Sequence, residues 1–107
     1  MKKLLSALAG IAMLAGASSA ANAFGCPVSF GEAEAAIAKA KAAMEAMPDG
    51  ANKGLVHTLI DDAKALLASG KHNHEKPAAG GYDHARAIAK ARSAVAYAEA
   101  AAILASN

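Results

Sequence analysis

The feature that most constrains the fold is a pair of near-identical alanine-rich strings, AIAKAKAAM at 36–44 and AIAKARSAV at 87–95. Each string places an isoleucine and a second large apolar residue seven positions apart, with alanine between them. Apolar residues that alternate three and four apart are typical of helices packed along a seam. We therefore expect two helices with the same packing role, with Lys39 and Lys90 on their outer sides.

Three helices can be predicted from such spacings and from the chain breakers between them. Ser29 and Glu32 suit a capping box at the start of the first helix, and Gly70 suits a cap at the end of the second. Pro48 and Gly50 would end the first helix. The predicted spans are about Phe30 to Met47, about Lys53 to Ser69, and from Tyr82 or Asp83 to about Leu104.

The N-terminal segment has the pattern of a secretory signal peptide. Two lysines precede an uncharged apolar run from Leu4 to Ala17, and Ala21-Asn22-Ala23 has the small residues that a signal peptidase accepts. The sequence thus predicts a signal over 1–23, a mature domain over 24–107 and a periplasmic or secreted protein. In the alternative reading, Cys26 carries a lipid after lipoprotein-type cleavage.

The predicted mature chain is a neutral, single small domain. Removing Lys2 and Lys3 leaves nine basic residues against nine acidic ones, so there is no basic field for nucleic acid or anionic lipid. Its segment 24–107 contains no second apolar run suited to a membrane span. Because Cys26 is the only cysteine, it can stay free, carry lipid or join two copies of the chain in a homo-oligomer.

These features predict an all-α fold, a small up-down-up bundle of three helices with alanine-rich seams. A core with alanine in every second layer buries little apolar area per residue. We therefore expect such a bundle to need a ligand, a partner or a second copy.

Histidines concentrate around the second predicted connection, in KHNHE at 71–75 and in the Asp83-His84 pair. In an extended loop, residues two apart point the same way, so that His72 and His74 could present two imidazoles to one ion. His84 could add a third nitrogen, and Glu75 or Asp83 an oxygen. Such a donor set suits Cu(II), Ni(II) or Zn(II), and raw affinity favours copper. A solvated loop with incidental histidines remains the alternative.

His57 lies a helix length away from this group and is expected to pair with Asp61 on the surface. A less favoured hypothesis joins it with Met44 and Met47 in a soft Cu(I) site at the opposite end of the bundle. Filling of core gaps also explains both methionines.

No catalytic motif is recognisable, since the sequence has no nucleophile elbow, phosphate-binding loop or Cys-x-x-Cys-His haem site. An enzyme is therefore not expected, and no organic cofactor is indicated.

The segments DDAKALLASGKHNH and YDHARAIAKARSAVAYAEAA, with histidine near the turns, give residues 32–104 a resemblance to the small periplasmic metal-binding proteins of Gram-negative bacteria. That resemblance implies a four-helix-like up-and-down fold and binding of several divalent ions, copper foremost, through many histidines repeated along the helices. Here only four positions match: His57, His72, His74 and His84.

Two functions follow as alternatives. In the first, the protein buffers or carries a divalent transition metal, copper favoured, through its loop histidines. In the second, it is a structural or adaptor bundle that docks on a larger periplasmic protein through an alanine-lined groove.

Overall fold

A computed structural model describes residues 25–107, and the predicted signal peptide lies outside the described residues. The chain forms three helices: α1 (Gly25–Glu45), α2 (Ala51–Glu75) and α3 (Gly81–Ser106). The start of α1 meets the end of α2 and the start of α3, since side chains from these three places are in contact. The order is therefore up, down, up, which confirms the predicted all-α bundle.

The helix seams run as the apolar spacing predicts. In α1 the buried residues alternate four and three apart, and the same alternation runs through α2 from Val56 to Gly70, with Asn73 three residues further on. They are Cys26, Phe30, Ala33, Ile37 and Ala40 in α1, and Val56, Ile60, Ala63, Leu67, Gly70 and Asn73 in α2.

Helix α3 packs against both other helices, which contact each other less. A helix with neighbours on two sides must bury a broad face, and small residues there let both neighbours approach. The buried apolar residues of α3 are accordingly all alanines: Ala87, Ala91, Ala94, Ala98 and Ala101.

The repeated strings therefore do not have identical roles. Ile37 is buried in α1, whereas its counterpart Ile88 is only partly buried in α3. The prediction that both lysines face outwards is wrong for Lys90, because this side chain reaches across to α2 and donates to Ser69 Oγ at 2.7 Å and Asn73 Oδ1 at 2.6 Å. Lys39 is exposed, as expected.

Two predicted helix ends are wrong. Helix α1 begins at Gly25, so Ser29 lies inside it and forms no capping box. Pro27 is compatible with this earlier start because a first-turn residue does not need its N–H for the helix.

Gly70 is likewise not a cap, since α2 continues for five more residues. It lies buried where α2 meets α3: a Cβ at this position would stand 3.0 Å from the carbonyl oxygen of Ala87. The glycine therefore allows α2 and α3 to pack closely. The connection between these two helices is shorter than predicted and consists of residues 76–80.

The connection 76–80 is a short turn held by a carboxylate, in contrast to the longer loop that the sequence predicts. Asp83 accepts a hydrogen bond from the N–H of Ala79 at 2.6 Å, and Gly80 has a φ of 56°, a backbone conformation that favours glycine. Within residues 25–107, no helix is both long enough and apolar enough to cross a membrane.

Candidate metal centre

One side chain from each helix meets at the shared end of the bundle. Cys26 comes from the first turn of α1, His74 from the last turn of α2 and His84 from the first turn of α3. One potential ligand atom from each of the three lies within 4.8 Å of the other two. We call these three residues the Cys-His-His cluster.

The cluster lies where the three seams end. Cys26 precedes Phe30 by four residues, His74 follows Gly70 by four and His84 precedes Ile88 by four, so each continues the apolar face of its helix by one turn. The up-down-up order brings these three ends together.

Cys26 is the buried member of the cluster. Its thiol is 0% exposed, stands 3.9 Å from His84 Nδ1 and donates to the carbonyl oxygen of His84 at 3.5 Å. Burial raises the pKa of the Cys26 thiol, and a backbone hydrogen bond offsets part of that rise. In this position the sulfur is shielded from the thiols of other chains, so the predicted disulfide between copies would require α1 to shift.

The imidazoles of His74 and His84 are half-buried and pack edge to face, with ring centroids 5.4 Å apart. The Phe30 ring also packs edge to face with His74, with ring centroids 5.6 Å apart. His74 Nδ1 is buried, and among the buried side-chain polar atoms of residues 25–107 it is the one without a hydrogen-bond partner. A buried nitrogen lone pair or N–H left in this state costs free energy, and a bound ion or proton acceptor would remove that cost.

The remaining predicted ligands lie elsewhere. The predicted pairing of His72 with His74 assumes an extended loop, but both residues are in α2, where two positions correspond to a rotation of about 200°. His72 is therefore exposed on another side of the helix, and Glu75 is exposed as well. The premise of the pairing is wrong because the helix runs through the histidine segment.

Asp83 is adjacent to the cluster in sequence but is engaged in other contacts. Its carboxylate accepts hydrogen bonds from the N–H of Ala79 and from Asn73 Nδ2 at 3.4 Å, and it forms an ion pair with Arg86 at 3.5 Å. The hydrogen bond from the backbone of Ala79 is the main cause of the lowered pKa of Asp83, with Arg86 contributing. Its role is thus to close the turn and connect α2 with α3.

The predicted Cu(I) site of Met44, Met47 and His57 is not supported by any contact among these three residues in the described part of the chain. Met44 and Met47 pack, partly buried, against the core. His57 is exposed, and its Nδ1 lies 3.2 Å from Asp61, which confirms the expected surface pair.

Cys26 is the site residue that the sequence interpretation missed. The signal was present, because Cys26 stands four residues before Phe30 on the same seam. The predicted start at Phe30 concealed it by placing the cysteine outside the helix.

A scan against protein-family models, a search of curated proteins and a search of solved structures each returned no match.

Proposed function

We propose that this protein binds one transition-metal ion, copper or zinc, through Cys26, His74 and His84, and acts as a small periplasmic metal buffer or carrier. The observation that carries the proposal is the convergence of a thiol and two imidazoles from three different helices within 4.8 Å. Thiolate and imidazole are the donors that copper and zinc prefer in proteins.

The distances support an ion between these groups after a small inward movement. Zn–S and Zn–N bonds of about 2.3 and 2.0 Å place tetrahedral ligand atoms about 3.5 Å apart. The Sγ to Nδ1 distance of 3.9 Å between Cys26 and His84 is close to that value. The side chains can close the difference by small rotations, since both imidazoles are half-exposed.

The unpartnered Nδ1 of His74 also supports the proposal. A metal-ligating histidine binds through one ring nitrogen, and no protein hydrogen bond competes with an ion for this one. A thiol nucleophile is a weaker interpretation of the same residues, because a nucleophile has to reach its substrate and Cys26 is fully buried.

The test is a calorimetric titration of the tag-free, reduced protein with Zn(II) and with Cu(I), beside four single variants. We expect one ion per chain, lost or at least about tenfold weaker in Cys26→Ser, His74→Ala and His84→Ala. His72→Ala is the matched control: it removes an imidazole two residues from His74, on an exposed position, and should bind as the unchanged protein does.

Thermal unfolding gives a second readout. An ion present at 100 times its Kd stabilises the fold by about 2.7 kcal/mol. Co(II) binding with a sulfur-to-metal charge-transfer band, lost in Cys26→Ser, would show thiolate ligation. The proposal fails if no ion binds, or if His72→Ala weakens binding as much as His74→Ala does.

The alternative adaptor function would use a shallow groove between α1 and α3, lined by Ala36, Val95, Ala98 and Ala102. Ile103 at its edge is 64% exposed, which favours this alternative as a second candidate. Its test is sedimentation of the protein and of Ile103→Lys over a range of concentrations. An adaptor function through this groove predicts association that Ile103→Lys abolishes and that chelators leave unchanged.

A further inference from the structure

We propose that the Cys-His-His cluster selects copper as Cu(I) over Zn(II) and Cu(II). This inference rests on the proposed function and deepens it by naming the oxidation state of the ion. Three features of the cluster carry it: the number of ligands, their softness and the net charge that binding would bury.

The number of ligands favours an ion that accepts three donors. Structural zinc sites in proteins are almost always four-coordinate. Within the described part of the chain, the group contains three residues and no carboxylate joins it. Asp83 faces Ala79 and Arg86, and Glu75 is exposed. A zinc ion would therefore need a fourth donor from solvent, beside a fully buried sulfur.

The kinds of donor favour a soft ion. A thiolate is the softest donor of the set and suits Cu(I), the softest of the three ions, although Zn(II) also accepts thiolate; imidazole is acceptable to all three. The Phe30 ring next to His74 adds an apolar wall, which disfavours water in the coordination sphere.

The net charge gives the strongest discrimination. Cu(I) with one thiolate and two neutral imidazoles is neutral, whereas Zn(II) or Cu(II) with the same ligands leaves a charge of +1 at a sulfur that is 0% exposed. A buried charge without a counter-charge is strongly disfavoured.

Among residues 25–107, the charged groups beside the cluster offer no buried, spare counter-charge. The Asp83 carboxylate is already paired with Arg86 at 3.5 Å, and Lys71 is paired with Glu34 at 3.5 Å. The Glu75 carboxylate is exposed, where solvent screens its charge. The extra positive charge of a divalent ion would therefore have no buried counter-charge.

Binding is a proton exchange and not a redox step. The Sγ–H bond of Cys26 breaks and its proton passes to solvent, while the sulfur electron pair forms the bond to Cu(I). His74 and His84 each donate a ring-nitrogen lone pair. Copper enters and remains as Cu(I), so that no oxidant or reductant takes part.

The experiment is an anaerobic competition with the tag-free protein kept reduced. Cu(I) is supplied against a colorimetric Cu(I) chelator and Zn(II) against a colorimetric Zn(II) chelator, which yields both dissociation constants. We expect Cu(I) to bind at least about 100-fold more tightly than Zn(II), on the basis of the buried charge. An equal or tighter Zn(II) affinity would overturn the inference and leave the proposed function intact. If neither ion binds, both fail.

His84→Cys separates charge from softness. Two thiolates would be neutral with Zn(II) and carry −1 with Cu(I), so the charge argument predicts a shift of the preference towards Zn(II) by about tenfold or more. Softness alone predicts the opposite shift. His74→Cys tests the same reasoning should the first variant unfold, with helix content followed by circular dichroism. A shift towards Cu(I) in a folded variant would refute the selection by charge.

Discussion

Gly70 offers the sharpest test of the helix packing. A Cβ at this position would lie 3.0 Å from the carbonyl oxygen of Ala87, 3.3 Å from Lys90 Cβ and 3.5 Å from the Phe30 ring. The nearest of these atoms belongs to the backbone of α3, which cannot rotate away as a side chain can. Gly70→Ala therefore forces α2 and α3 apart by a few tenths of an ångström.

Two opposing effects set the magnitude. Alanine inside a helix is favoured over glycine by about 1 kcal/mol, whereas overpacking a tight core costs about 1–3 kcal/mol. We expect the steric term to dominate, with a net destabilisation of up to about 2 kcal/mol. Gly31→Ala is the matched control, since Gly31 lies in α1 and, apart from its chain neighbours and the backbone of its own helix, no atom lies within 4 Å of an added Cβ. That variant should gain about 1 kcal/mol, the propensity term alone.

The assay is urea unfolding followed by circular dichroism, with thermal unfolding as a second measurement. For a domain of this size, 1 kcal/mol corresponds to a shift of about 4–8 °C in Tm. The two alanine variants should thus move Tm in opposite directions. If Gly70→Ala stabilises the protein as much as Gly31→Ala, then α2 and α3 do not approach closely at Gly70 and the reasoning is refuted.

Two further predictions concern the polar contacts between α2 and α3. Lys90→Met removes the hydrogen-bond donor to Asn73, which is 9% exposed, and should lower the free energy of unfolding by about 1–3 kcal/mol. The control variant Lys39→Met, on the exposed side of α1, should change that free energy by no more than about 0.5 kcal/mol. Equal urea midpoints for the two variants would contradict this prediction. Asp83 has a folded pKa below its ordinary 3.8, so its stabilising contribution is complete well above pH 3.8 and is lost as pH falls through the lowered pKa. Asp83→Asn should therefore be less stable than the unchanged protein near neutral pH, and it should lose less further stability between pH 5 and pH 2. Urea unfolding at each pH measures both effects. Parallel pH profiles of the two proteins would count against the role of this carboxylate.

The fold class could be predicted because the seams are local patterns. The alternation of three and four through Phe30, Ala33 and Ile37 specifies a helix face without reference to any other part of the chain. The same holds for Ile60, Ala63 and Leu67 in α2. Three such faces and two turn-rich connections leave an antiparallel bundle as the natural arrangement.

The helix ends and the residues of the Cys-His-His cluster were harder to predict from the sequence, because both depend on contacts between helices. Whether α2 stops at Gly70 depends on what packs against it, and close contact with Ala87 favours glycine there without ending the helix. Once the helix continues, His74 lies in phase with the seam and His72 does not. A loop interpretation and a helix interpretation of the same histidines therefore select different partners.

Three amphipathic helices with alanine-rich buried faces follow from the order of the residues alone. Periodicity along one helix is a property of neighbouring residues and can be read directly. Only the tertiary structure decided that Cys26, His74 and His84 meet, because they are separated by 48 and 10 positions and converge through the up-down-up order. It also decided that α3 lies between its neighbours, so that one repeated string buries Ile37 in α1 and leaves its counterpart Ile88 only partly covered in α3.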